Sequence, residues 1–89
     1  MLTNGRRIES PFDASGALIG EWPAPGDYYL YPDVGWCGVT PDGQEAGLAK
    51  HDVTEHEDGT ITVSPSILVS SGHRPSWHGY LERGVWRQV

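Results

Sequence analysis

Five side chains in this sequence, Cys37, His51, His56, His73 and His78, are of the types that hold zinc. Their spacing works against a shared site. His51 and His56 are five residues apart, which fits one helix face imperfectly and places them on opposite faces of a strand. No Cys-x2-Cys pair exists. Histidines at the surface or in ordinary hydrogen bonds, and a small buried thiol, account for the same residues. The expectation is therefore no cofactor; were zinc to be held, the donors would be Cys37, His78 and His51.

Hydrolysis would draw on the same residues, with Cys37 as nucleophile, His51 or His78 as base and Asp52 as orienter. Nothing joins them as a set, and a cysteine between Trp36 and Gly38 in a strand-like run reads as core. Asp52, Glu55, Glu57 and Asp58 read as a charged hairpin tip rather than a carboxylate pair. The chain is read as noncatalytic. Arg74, Arg83 and Arg87 with Trp77, Tyr80 and Trp86 mix cations with stacking rings, as single-strand platforms do. Half of those rings must build the core, and a net charge of −6 opposes phosphate. There is no Gly-rich phosphate loop and no helix-turn-helix signature. Binding to a protein is left, because Trp, Tyr and Arg dominate interface hot spots. The residues expected to serve it are His78, Tyr80 and Arg87, with Arg74 beside them.

The 89 residues suffice for one domain. A single cysteine excludes an intramolecular disulfide, so four tryptophans, four tyrosines and one phenylalanine must supply much of the core. Eleven of the twelve carboxylates lie between Glu9 and Asp58, against Lys50 alone, so the chain is an acidic middle between two mildly basic ends. That middle reads as a solvated surface, or as an acidic face that meets a basic partner. No apolar run approaches the roughly 20 residues that span a bilayer, and the first residues lack a signal peptide's apolar stretch. The expected location is cytoplasmic, with no membrane partner.

The elements that must position these residues read as short strands and turns. Residues 1–25 mix Gly, Ser, Pro and charges without a period and are expected to form an irregular, partly docked arm. Residues 26–89 are expected to form a single β-rich domain. Asp27–Tyr31 and Gly35–Thr40 read as strands, and Gln44–Lys50 is interrupted by Gly47 and lacks a helical stripe. From Lys50 the signals strengthen into strand, turn and strand around Asp58-Gly59. A two-residue turn would set His56 beside Ile61; a three-residue Glu57-Asp58-Gly59 loop would pair Val53 with Val63. The second is preferred because it puts two valines on one buried face and Gly59 at the left-handed bulge position. His56 would then face solvent and His51 the buried side. Pro65-Ser66 is expected to break the strand, Ile67–Val69 to be buried on both faces, and Ser70–Ser76 to be a loop. A last hairpin turned at Arg83-Gly84 puts Trp77, Gly79, Leu81 and Trp86 on one face and His78, Tyr80, Val85 and Arg87 on the other.

The run Ile61-Thr62-Val63-Ser64-Pro65-Ser66-Ile67, a polar loop, and Trp77-His78-Gly79-Tyr80-Leu81-Glu82-Arg83-Gly84-Val85-Trp86 resembles small phage and bacterial proteins classed as domain of unknown function 6527. The likeness covers about the last thirty residues well and Trp36 to Gly59 loosely. It implies a phage or prophage origin and a compact β-rich module, with no activity attached. Many members of that family also carry a central cysteine cluster and a cysteine shortly before the histidine, which suggests a metal site. Here Cys37 stands alone and Pro75 occupies the position three before His78.

The fold expected is mainly β: a small antiparallel sheet or open barrel built from hairpins. The function expected is that of a phage-type accessory module that binds a host or viral protein, and an exposed edge strand could also pair two copies. The alternatives are a degenerate zinc-supported module, a small enzyme or a single-stranded nucleic-acid binder.

Overall fold

A computed structural model describes residues 2–70, 72 and 74–89. Every regular element among them is a strand: β1 Leu2–Asn4, β2 Arg6–Arg7, β3 Asp27–Tyr31, β4 Gly35–Val39, β5 Glu45–Gly47, β6 Asp52–Glu55, β7 Ile61–Val69, β8 Trp77–Glu82 and β9 Val85–Gln88. They form a five-stranded sheet in the order β1-β9-β8-β7-β6 and a four-stranded sheet in the order β2-β3-β4-β5. The mainly β expectation is met by these two sheets, and neither closes into a barrel.

The two hairpins of the first sheet follow the local chemistry of their turns. Val53 pairs with Val63, and Gly59 takes a φ of 86°, so the three-residue loop sets the register. The Asp58 carboxylate stiffens that loop by accepting from the Thr60 amide (3.0 Å) and hydroxyl (2.6 Å). In the last hairpin Glu82 pairs with Val85 across the two-residue turn Arg83-Gly84. Trp77, Gly79, Leu81 and Trp86 all face inward as the alternation demands. Gly79 is required by close approach, since a Cβ there would lie 2.3 Å from the Arg87 carbonyl oxygen and 2.6 Å from the Trp77 ring.

Three expectations are corrected. Residues 2–7, assigned to the irregular arm, contribute strands: β1 pairs with β9, and one residue later β2 joins the other sheet parallel to β3. What fixes them is long-range: Arg6 donates to the buried Asp27 carboxylate at 3.1 and 3.0 Å, and the Arg7 Nη1 donates to Glu55 at 2.6 Å. Pro65-Ser66 does not end the strand. β7 runs through it as a bulge, its register against β8 shifting so that residues 64–66 stand opposite Tyr80 alone. Pairing with β6 has already stopped at Ser64, so the proline's missing N–H leaves no gap in the ladder. Finally, Leu68 is exposed, because this stretch of sheet is covered on one face only.

The core lies between the sheets. Tyr28, Ala46 and Leu48 meet Ile61, Val63, Ile67, Trp77, Leu81 and Trp86. Trp86 packs edge-on against Trp77 at 5.6 Å and donates its indole N–H to the Gly26 carbonyl at 3.0 Å. Residues 8–25 form a partial third layer on the outer side of the second sheet. Phe12 holds them on the sheet against Tyr29 and Tyr31, and within the layer it meets Trp22 edge-on and bridges to Leu18.

Candidate binding face and outer pocket

The outer face of the first sheet gathers three of the four residues expected to bind. Adjacent antiparallel strands place directly paired residues on one side, so the pairs Tyr80 with Arg87, Leu68 with His78 and Leu2 with Arg87 put all five there. The Arg87 guanidinium lies 4.5 Å from the Tyr80 ring centroid and donates to Glu82 at 3.1 Å. Ser66 and the His78 Nε2 share a hydrogen bond of 3.0 Å. Leu2 and Leu68 remain 67% and 66% exposed at either side of the Tyr80–Arg87 pair. Arg74 is not part of this face; its guanidinium donates to the Asp42 carbonyl in the turn before β5. The Asp42 carboxyl is held below the usual range first by the Thr40 hydroxyl, and also by the Gln44 amide and the nearby Arg74.

Leu2 and Leu68 were missed by sequence reasoning. The alternation of Leu68 with His78 across the strand pair was the available signal, obscured because Ile67-Leu68-Val69 reads as a continuous apolar run. For Leu2 there was no local signal, since β1 pairs with the far end of the chain.

The candidate zinc donors do not converge. Cys37 lies in β4 beside Tyr29 and Gly47, on the outer side of the second sheet. His78 stands on the outer face of the first sheet. The His51 Nε2 lies 3.2 Å from the Ser66 carbonyl oxygen. His56, expected in solvent, is half-buried with its Nε2 2.7 Å from the Thr62 Oγ1, a diagonal neighbour across the hairpin. His73 and Ser71, with Met1, lie outside the described residues. Among the described residues no three His, Cys, Asp or Glu side chains group as a metal site would require. Burial, and then the Glu45 carboxylate, push the Cys37 thiol pKa up, the reverse of an activated nucleophile. Of the expected stacking rings, Trp77 and Trp86 are sealed in the core, which leaves Tyr80 alone on the surface.

A second concavity was not anticipated from the sequence. Between the N-terminal layer and the second sheet is a pocket of about 350 Å³, lined by Phe12, Tyr29, Tyr31, Val34, Cys37 and Glu45 with glycines 16, 38 and 47 and Ala46. Burial, assisted by the neighbouring Cys37, Glu45 and Tyr31, pushes the Tyr29 hydroxyl up to about 12.

The fold and the face define a small two-sheet β domain with a mixed aromatic, cationic and aliphatic surface. No family model matches the chain, and no curated protein or solved structure was found to match it. The described residues hold no helix long and apolar enough to cross a membrane.

Proposed function

We propose that this chain is a small phage-type accessory protein that acts in the host cytoplasm as a noncatalytic binding module for a host or viral protein. The observation that carries the reading is the outer face of the first sheet, where two exposed leucines flank the stacked Tyr80–Arg87 pair. Tyrosine and arginine are residue types enriched at interface hot spots, offering an amphipathic ring and a forked donor, and the two leucines add apolar area around them. The phage part of the reading rests on the resemblance of the last third of the chain, and the hairpin β8–β9 that carries the resemblance also carries Tyr80 and Arg87.

A photo-crosslinking residue at position 68 tests it in infected or prophage-bearing cells. The expected result is a discrete adduct with one partner, lost in Tyr80→Ala and in Arg87→Ala, while the same crosslinker at Glu57 gives none. Adducts that are diffuse, or unchanged by both substitutions, overturn the reading. An adduct with a second copy of this chain also overturns it and assigns the face to self-association.

A further inference from the structure

The pocket between the N-terminal layer and the second sheet has a chemistry distinct from the binding face. Among the described residues that line it, three are aromatic, Phe12, Tyr29 and Tyr31; one is a carboxylate, Glu45; none is Lys, Arg or His. Phe12 stacks on Tyr31 at 5.8 Å and is tilted against Tyr29 at 6.2 Å, so the three rings adjoin one another. The rest of the described lining is Val34, Cys37 and four of the smallest residues, Gly16, Gly38, Ala46 and Gly47. At about 350 Å³ the space lies near the lower end of the roughly 300–1,000 Å³ typical of ligand pockets, which suits a small head group.

Charge selects among ligand classes. An anion would find no cationic side chain among the described lining residues. A metal ion would find one carboxylate and a thiol whose proton is held more tightly than usual, not the donor set a metal needs. A cation without strong hydrogen-bonding demands would find ring quadrupoles and a carboxylate. It would also be drawn by the chain's net charge of −6, whose carboxylates are concentrated between Glu9 and Asp58, the stretch that builds this pocket. The larger cleft nearby, about 730 Å³, is lined by Arg7 as well as Glu9 and Asp13 and makes no such selection.

We propose that this pocket binds a small organic cation with an alkylated ammonium head, held by the rings of Phe12, Tyr29 and Tyr31 and the carboxylate of Glu45. The head group can belong to a free molecule or to the tip of an alkylated lysine side chain, which share this chemistry.

Titration of the isotope-labelled protein with choline, at constant ionic strength and followed by NMR, tests the proposal through the amides of Gly16, Gly38 and Gly47. The expected result is saturable shifts at these glycines that are absent with 3,3-dimethylbutan-1-ol, which keeps the shape and lacks the charge. Because the Glu45 side chain is exposed, Glu45→Gln should leave the rest of the spectrum in place while weakening choline about tenfold. A parallel titration with a trimethyl-lysine amide separates the sources: tighter binding than choline assigns a lysine side chain, weaker binding a free molecule. Equal binding of the neutral isostere, an unchanged affinity in Glu45→Gln, shifts confined to other residues, or no saturable shift by about 50 mM choline would each overturn the proposal.

Discussion

The first sheet and the layer formed by residues 8–25 use aromatic rings in opposite ways. In the sheet, Trp77 and Trp86 are 1% and 0% exposed, locked between strands whose ladders run on both sides of β8 and β9. In the outer layer Phe12 is half-buried and Trp22 is 67% exposed, and the backbone is held by isolated turns, one bridge and, at its start, the Ile8 amide donating to the Tyr28 carbonyl. Rings in the sheet are sealed by the cooperative ladder, whereas rings in the layer hold the layer on. Local opening costs least where few backbone pairs must break together, so the layer should be able to lift while the sandwich beneath it stays folded.

The contrast is broken most directly by exchanging its two tryptophans for alanine. Trp86→Ala removes a fully buried ring and the indole bond to Gly26, and should cost about 3–5 kcal/mol, a large share of the roughly 5–15 kcal/mol that holds a domain folded. Trp22→Ala removes a largely exposed ring and should stay within about 0.5 kcal/mol. Urea denaturation followed by far-UV circular dichroism compares the two. Similar losses for both would show that the layer is part of one cooperative core.

A smaller effect is expected from Phe12→Ala, about 1–2 kcal/mol for a half-buried ring. Its distribution matters more than its size. Hydrogen exchange should speed at the Asp13 and Ile19 amides, which donate to Ala17 and Pro11. The amides of β8 and β9 should keep their protection. Loss of protection throughout the molecule would mean that the layer nucleates the sandwich.

The same contrast explains which parts of the molecule could be read from sequence. The hairpins after Lys50 announce themselves because turn residues and strand alternation lie within a few positions of one another: Asp58-Gly59 fixes the register of Val53 against Val63, and Arg83-Gly84 that of Glu82 against Val85. Strand β2 does not, because its place depends on Arg6 meeting Asp27, 21 residues away. Strand β1 depends on β9. Of the binding face, His78, Tyr80 and Arg87 follow from alternation within one hairpin, whereas Leu2 needed the β1–β9 pairing. The aromatic pocket was illegible because Phe12 has no strand period to say which face it will cover.

Acid titration supplies the gentlest test, since each region has a turn built around one carboxylate. Asp58 in the sheet accepts from the Thr60 amide and hydroxyl. Asp13 in the layer accepts from the Ser15 amide at 2.8 Å, the Ser15 hydroxyl at 2.5 Å and the Ala17 amide at 3.1 Å. These bonds favour the ionised form and hold both carboxyls below the ordinary value of 3.8. A carboxyl depressed in the folded state contributes stability above its unfolded value and loses it as pH falls through its folded one. Both contributions should therefore be complete at neutral pH and fade only below about 3.8, with different consequences. Protonating Asp58 loosens a loop whose flanking strands remain paired by their ladder, so the β6–β7 amides should hold. Protonating Asp13 removes a main restraint on a layer with few others, so the Ser15 and Ala17 amides should exchange faster while the sheet is still intact. Carboxyl carbon shifts and amide exchange followed together across the acid range decide it: an Asp13 that titrates at 3.8 or above would mean that its turn is not formed in solution and that the layer is held by its rings alone.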